Sequence, residues 1–227
     1  QINSNQTAGD FVKYSLVTFK DDVTFRGSTV KSSDITSWIS SLYASGGGDC
    51  PEESYGALDT AATQAPHSDV WWMTDADAHG GFLRMLATRA RLLLAGNTLH
   101  SVIFGSCSGG PAIPSTSGPS LTTASDVNAF TAGEALSSAT GGLNFAVYGA
   151  ANVNQATRII LNEMRSGALI KRVALSAGTH THLVPVDSSF SAIVFIANLP
   201  VTTAGDMIVT NPAGVVVTPG ADVEEIT

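Results

Sequence analysis

Charged side chains are scarce in this sequence, and no run of basic residues occurs in it. Among 227 residues, 11 are Lys or Arg and 19 are Asp or Glu, which gives a net charge of −8. Nucleic acids and anionic membranes are bound through clustered basic side chains, so neither is favoured as a partner. A hydrophobic fraction of 44% is instead typical of a globular protein with a substantial core.

Long hydrophobic runs are also lacking, and the sequence predicts no helix that spans a bilayer. The first residues show neither the basic nor the apolar region of a signal peptide, so we expect a processed chain or a fragment if the protein is exported. Asn5 begins an Asn-Gln-Thr triplet, an N-glycosylation acceptor pattern that is also common by chance.

Short apolar runs alternate with amphipathic stretches as far as about residue 168. This alternation is typical of a mainly parallel sheet between helical layers, and it predicts a three-layer α/β/α domain over residues 1–168. Ser32 or Ser33 is the expected cap of the first helix. The predicted strands are 11–19, 23–25, 69–75, 99–104 and 143–148. Helices are predicted from apolar residues at helical spacing within 35–42, 55–65, 82–93 and 153–164, and from a helical pattern over 126–138.

The pattern changes beyond that domain. Residues 169–227 contain short β-branched runs separated by Gly, Pro, Asn and Asp, and the helical period disappears. We therefore predict a small all-β sandwich over 169–227. His180 and His182 share one face of a predicted strand, where a metal pair is conceivable but an exposed polar face is the more frequent explanation.

A glycine-rich loop, Gly46–Glu53, joins two of the helical patterns. Asp49 stands where a helix N-cap belongs, Pro51 suits a first helical turn, and Glu52 and Glu53 suit the positive end of the helix dipole. A loop followed by a well-capped helix is thus the simplest interpretation. The alternative is a ligand site, because a second acidic loop follows further along the chain.

That second loop begins at Asp75, directly after a predicted buried strand, and continues through Asp77 and His79. The carboxyl ends of parallel strands lie at one edge of a sheet, where ligands gather. Cys107 follows the next strand, so this edge also brings it near Cys50. A disulfide between these two cysteines is geometrically reasonable, and two unrelated thiols are the alternative.

Taken together, these residues resemble the von Willebrand factor A domain in its hemicentin-like branch. The resemblance covers nearly the whole chain, and the cysteine-bearing glycine loop is its most specific part. It rests on the Gly46–Glu53 loop, Thr74-Asp75, Cys107, Ala139-Thr140-Gly141-Gly142 and Pro185-Val186-Asp187-Ser188-Ser189.

Domains of this family hold a divalent cation at the top of the sheet, and a partner's carboxylate often completes its coordination. The resemblance implies that Asp75 and Asp49 are metal ligands. Glu52, Asp77 and His79 are candidates for supporting positions around the metal, and His79 could also act as a base, although histidines in loops are usually only solvated. Hard oxygen ligands of this kind suit Mg²⁺ or Ca²⁺.

The family's first strand and its Asp-x-Ser-x-Ser motif should precede Phe11, where this sequence has ten residues. We therefore expect the first strand and helix to be missing, and a complementing strand to come from another chain or a cleaved N-terminal fragment. Residues 187–191 spell the motif literally. A β-branched run follows them, however, and this predicts a strand rather than the family's helix.

The resemblance implies a secreted or cell-surface protein-binding, adhesion or matrix module that is not an enzyme and acts on a protein partner or by self-assembly. A fibre subunit that polymerises by strand complementation without a metal is the first alternative. A metal-dependent hydrolase using Asp49, Asp75 and His79 is the second. It is disfavoured because the sequence offers no pairing of an activated nucleophile with a base.

Overall fold

The structure is a computed structural model, and the chain divides into two compact units, Gln1–Phe145 and Ala146–Thr227. In the second unit the described segments include an isolated antiparallel bridge between Thr210 and Val216. The predicted β-sandwich and the predicted boundary at residue 168 lie largely outside the described residues and stay predictions. The structure describes residues 13–43, 50–107, 127–147, 179–184, 208–211 and 213–216.

An antiparallel hairpin opens the described part of the first unit. Strand β1, Tyr14–Phe19, pairs with β2, Val23–Thr29, and the register shifts between Leu16 and Val17 in a β-bulge. The hairpin is followed by helix α1, Ser32–Ser40. Gly27 lies in the left-handed region at φ 140°, and a Cβ atom there would stand only 3.3 Å from the Trp38 indole of α1. Glycine therefore lets the helix pack closely on the hairpin.

A three-stranded parallel sheet forms the centre of the unit. Its strands are β3, Asp69–Thr74, β4, Thr98–Ile103, and β5, Asn144–Ala146, in the order β3-β4-β5. In the β3–β4 ladder, Trp71 stands opposite His100. The β-branched and aromatic content of these strands suits a pleated surface covered by helices.

Three helices pack in sequence beside these strands: α2, Ser54–Gln64, α3, Gly81–Leu94, and α4, Ala129–Thr140. Helix α2 contacts β1, β2, β3 and α3, whereas α4 contacts α3 and β4. Burying one of the fully buried leucines of this core contributes about 1.5–3 kcal/mol. The α/β class predicted from the sequence is thereby confirmed. The largest fully buried side chains are Tyr55, Leu92, Leu99, Ile103 and Leu136.

The predicted start of α2 is wrong. Pro51 and Glu52 precede the helix instead of forming its first turn, and Glu53 is the N-cap residue. The cause is tertiary hydrogen bonding, because the N–H of Glu52 donates to Asp77 O (2.9 Å) and the N–H of Glu53 donates to Lys20 O (2.7 Å). These bonds keep residues 51–53 outside the helix, which begins at Ser54.

Two further helix caps differ from the prediction. Lys31 is the N-cap residue of α1 and makes no side-chain cap, so neither Ser32 nor Ser33 has that role. Helix α4 begins at Ala129, three residues later than predicted, because Asn128 caps it through a hydrogen bond from the N–H of Phe130 to its side chain (3.0 Å).

His100 is a titratable group inside the sheet. Its ring stacks on Trp71 at a centroid distance of 4.3 Å, and its Nδ1 accepts a hydrogen bond from the N–H of Leu143 (3.3 Å). Burial lowers the pKa of His100 below 6.5, although the nearby carboxylate of Asp69 acts in the opposite direction. The folded protein therefore favours the neutral ring, whose Nδ1 is free to accept this bond.

We expect the free energy of unfolding to fall as the pH drops below about 6.5, because the unfolded state then takes up a proton on His100 that the folded state resists. Above that pH the ring is neutral in both states, so this contribution is constant. Urea unfolding at pH 7.5 and 5.5 should show a smaller decline for His100→Gln than for the parent chain. His182→Gln, at an exposed position, is the matched control. Equal declines in all three proteins would contradict the assignment.

Candidate functional site

Four segments of the first unit meet beyond the carboxyl ends of β3 and β4. We call them the apical loop cluster: residues 50–53, 75–79, 104–107 and 127–128. Backbone hydrogen bonds join them, since the N–H of His79 donates to Glu52 O (2.9 Å) and the N–H of Ala78 donates to Val127 O (3.4 Å). Ala78 thereby bridges both Glu52 and Val127. Main-chain pairing thus joins three of the four segments, 50–53, 75–79 and 127–128.

A disulfide between Cys50 and Cys107 closes the cluster, with their Cα atoms 5.5 Å apart and a sequence separation of 57. The predicted pairing is thus formed, and the alternative of two unrelated thiols is wrong. The Cys107 Sγ also accepts a hydrogen bond from the N–H of Asp77 (3.3 Å). Closing a loop of this length stabilises the fold by roughly 4 kcal/mol in the chain-entropy account.

The acidic residues that follow β3 have different environments. Asp75 is exposed, and its main chain packs closely against Gly105, where a Cβ atom would lie 3.0 Å from Asp75 O. Asp77 is half-buried, and its Oδ1 accepts a hydrogen bond from the N–H of Ala129 (2.8 Å) at the start of α4. A carboxylate there is stabilised by the positive end of the helix dipole. Asp77 therefore has a structural role at this helix.

The structure thus brings together Glu52, Asp75, Asp77 and His79 from the predicted site. Asp49, the second predicted ligand, lies outside the described residues, as does the predicted glycosylation site Asn5. Within the described ranges, no three His, Cys, Asp or Glu side chains form a group that could hold a metal ion. The described side chains alone do not make a cation site, and the metal role of Asp75 stays a prediction.

Three contacts of the cluster were not anticipated from the sequence. Lys20, at the end of β1, takes part through its carbonyl oxygen, and Val127 takes part through its own. Neither residue type indicates such a role, because the bonds involve only the main chain. The Asp77 cap was also missed, although an aspartate just beyond a strand is a common partner for a helix N-terminus.

In the second unit, His180 and His182 have ring centroids 6.3 Å apart, and both side chains are exposed. The two rings are stacked, but residues 179–184 do not form a strand, so the strand predicted at His180 and His182 is wrong over these residues. The described residues provide no third ligand beside them.

The hairpin and the parallel sheet are separate. Strand β1 pairs with β2, and β3 pairs with β4, so among the described residues each of β1 and β3 has one edge without a strand partner. Helix α2 contacts both strands. We call the space between these two edges the inter-sheet gap.

The width of the inter-sheet gap is limited at the apical end. Glu52 and Glu53 are consecutive, and their N–H groups bond to Asp77 O (2.9 Å) and Lys20 O (2.7 Å), respectively. Consecutive backbone nitrogens lie within about 4 Å, so these two oxygens are at most roughly 10 Å apart. Two inter-strand spacings amount to about 9.5 Å. The loops that follow β1 and β3 are therefore no farther apart at this end than about two strand spacings, and the Glu52–Glu53 segment lies between them.

A family model for the von Willebrand factor A domain matches residues 2–147. The chain belongs to the von Willebrand factor A domain family. Domains of this family mediate protein interactions, so the fold suggests an interaction or adhesion module. A search of curated proteins finds no match to the chain. No helix in the described ranges of this von Willebrand A domain is long and apolar enough to cross a membrane.

We expect the disulfide to account for a large part of the stability of this von Willebrand A domain. The double variant Cys50→Ser/Cys107→Ser should lose about 2–4 kcal/mol of unfolding free energy, because its unfolded state is no longer constrained by the cross-link. Urea unfolding of the parent chain with and without a thiol reductant provides the comparison. A reductant should shift the parent chain toward the double variant and leave the double variant unchanged; no shift of the parent would contradict the prediction.

Proposed function

We propose that this chain is a protein-binding module of the hemicentin-like branch of the family, that it acts outside the cell, and that it does not catalyse a reaction. The glycine loop with Cys50 supports the branch. The disulfide supports an oxidising compartment, because such bonds persist mainly in secreted and cell-surface proteins. The observation that carries the proposal is the apical loop cluster. Its loops are fixed by main-chain bonds and a cross-link, and they present the exposed Asp75 at the carboxyl edge of the sheet.

A divalent cation, Mg²⁺ or Ca²⁺, belongs to this proposal, with Asp75 and Asp49 as its ligands. The described donor set is too small for either ion, since both prefer six or more oxygen ligands. Further oxygens would have to come from Asp49, from water, and from a carboxylate of the protein partner. A site completed by the partner would make binding depend on the cation.

The cation can be tested without the partner. Millimolar Mg²⁺ or Ca²⁺ should raise the melting temperature of the parent chain by about 2–4 °C, because a ligand that binds only the folded state stabilises it. Asp75→Ala should abolish this shift while folding normally, since its side chain is exposed. Asp21→Ala, an exposed aspartate in the β1–β2 turn, is the control and should keep the shift. An equal shift in Asp75→Ala, or no shift in the parent chain, would overturn the cation part of the proposal.

The second part of the proposal concerns the inter-sheet gap. We propose that a complementing β-strand, supplied by another chain or by a cleaved N-terminal fragment, occupies it. Unpaired backbone groups at strand edges are costly when buried and are readily satisfied by an added strand. Among the described residues one edge of β1 and one edge of β3 lack a strand partner. These edges, the helix α2 that contacts both strands, and the short distance between the loops that follow them support this occupant.

Native mass spectrometry of the purified protein, together with light scattering, tests the strand. A second peptide bound at one copy per chain would support a cleaved fragment, and large assemblies of one polypeptide would support donation between chains and a fibre role. A single polypeptide that is monodisperse and monomeric would contradict strand complementation. The cation experiment does not depend on this result, so the two parts of the proposal can fail separately.

A further inference from the structure

A cleft lies between the β1–β2 hairpin and helix α1. Its volume is about 230 Å³, and it is lined by Leu16 and Arg26 of the hairpin and by Trp38, Ser41 and Leu42 at the C-terminal end of α1. This is room for roughly eight water molecules, and it is less than the volume of about 300 Å³ or more that a drug-sized ligand requires. The cleft therefore suits a group of the size of one amino-acid residue. We call it the hairpin cleft.

The β-bulge of the hairpin determines the place of Arg26. Leu16 pairs with Gly27 and Val17 pairs with Phe25, so Arg26 is the extra residue that has no partner opposite it in β1. A bulge interrupts the alternation of side chains along a strand and redirects the one that the extra residue carries. Arg26 and Leu16 both line the hairpin cleft. The bulge thus brings a charged side chain to the side of the hairpin that α1 covers.

The guanidinium group of Arg26 is held in position but is not neutralised. Its Nε donates a hydrogen bond to Thr18 Oγ1 (3.1 Å), which leaves the N–H groups of the two terminal nitrogens for a ligand. In the part of the chain that the structure describes, no carboxylate forms an ion pair with Arg26, whereas Arg84 and Arg91 both pair with Asp59. The terminal nitrogens of an arginine form a fork that binds a carboxylate through two parallel hydrogen bonds.

Arg26 is the one charged residue among those that line the hairpin cleft. The charged residues of α1 are at its other end, where Lys31 is the N-cap residue and Asp34 Oδ2 accepts a hydrogen bond from Thr29 Oγ1 (2.8 Å). The C-terminal end of a helix carries partial negative charge, so a bound carboxylate would lie at Arg26 and the rest of the ligand against α1. The other described charged residues of the hairpin, which do not line the cleft, are Lys13, Lys20, Asp21 and Asp22.

The lining selects a ligand that is both apolar and anionic. Leu16, Trp38 and Leu42 provide apolar surface, and the Ser41 hydroxyl already donates to Trp38 O (2.7 Å). Phosphate and sulfate require several donors and gain nothing from apolar walls, and a cation is repelled by Arg26. An uncharged apolar group would cover the guanidinium N–H groups without bonding them, which is costly. A carboxylate attached to an apolar group of the size of one residue meets all of these conditions.

We propose that the hairpin cleft binds the C-terminal residue of a protein partner. Its α-carboxylate would bond to the guanidinium group of Arg26, and its apolar side chain would pack against Trp38 and Leu42. Sites for free small molecules enclose most of the ligand, whereas this cleft is small and its lining residues are all half-buried or exposed. A chain end suits such a cleft better than a free molecule does, because the preceding residues can make further contacts outside it.

This inference goes beyond the proposed function, because it involves neither the apical loop cluster nor the inter-sheet gap. It also requires no cation. The binding should be weak for a short peptide, since a single residue makes few contacts in the cleft, and we expect a Kd of about 0.1–1 mM. It should weaken further as the salt concentration rises, because the carboxylate and the exposed guanidinium group are screened.

An NMR titration of the full chain with the tetrapeptide acetyl-Gly-Ser-Gly-Phe tests the proposal. The peptide with a free carboxylate should shift the indole N–H signal of Trp38 in a saturable way, and Trp38→Phe identifies that signal by its loss. The same peptide ending in an amide should bind at least about tenfold more weakly, because it cannot form the charge-assisted bonds to Arg26. This comparison uses the parent chain and does not depend on the folding of a variant.

Variants of the cleft test the role of the guanidinium group. Arg26→Gln should weaken binding of the carboxylate peptide at least about tenfold, and Arg26→Lys should bind with intermediate affinity because it keeps the charge but loses the fork. Lys31→Gln, which removes a positive charge from the other end of α1, is the matched control and should bind like the parent. Circular dichroism verifies that each variant is folded.

Three results would overturn the proposal: no saturable shift of the Trp38 signal, equal affinity for the carboxylate and the amide, or unchanged affinity in Arg26→Gln. Free N-acetylphenylalanine provides the last comparison. It has the same carboxylate and side chain without the preceding residues, so it should bind more weakly than the peptide. Binding as tight as that of the peptide would assign the cleft to a small carboxylic acid and overturn the choice of a polypeptide end.

Discussion

Two consecutive backbone N–H groups hold the first unit together at its apical end. Glu52 bonds to the loop after β3, and Glu53 bonds to the end of β1, so a single step along the chain connects the parallel sheet with the hairpin. The neighbouring Cys50 fixes the same segment to the loop after β4. The position of the hairpin, the start of α2 and the arrangement of the apical loop cluster all depend on this short segment.

The hydrogen bonds of Glu52 and Glu53 also explain which parts of the fold could be predicted from the sequence. Strands β3 and β4 and helix α3 were located to within one or two residues, because their apolar periodicity is a local property and each is packed along its whole length. The start of α2 was placed too early, because Asp49 and Pro51 carry the usual signals of a helix start. Local preference was overridden there by hydrogen bonds to Lys20 and Asp77, which are remote in sequence and involve only main-chain atoms.

The candidate site could likewise be predicted only in part, because some of its contacts are remote in sequence. The sequence led to Cys50, Cys107 and Asp75 because thiols and exposed carboxylates at strand ends have recognisable chemistry. It could not distinguish a carboxylate available to a ligand from one already used within the fold. Asp77 belongs to the second kind, since the N–H of Ala129 occupies its Oδ1. That difference arises from the placement of α4, which the spacing between the two residues does not reveal.

The disulfide also determines how the domain would respond to a pulling force. The chain between Cys50 and Cys107 contains α2, β3, α3 and β4, the greater part of the described core. A fully extended segment of that length would span roughly 200 Å. Because the cross-link joins its two ends, a pulling force cannot extend this segment. Tension along the chain would therefore unfold the hairpin and extend the segments after β4, while the distance between Cys50 and Cys107 stays fixed. In a module placed between other proteins, this core would act as an inextensible link.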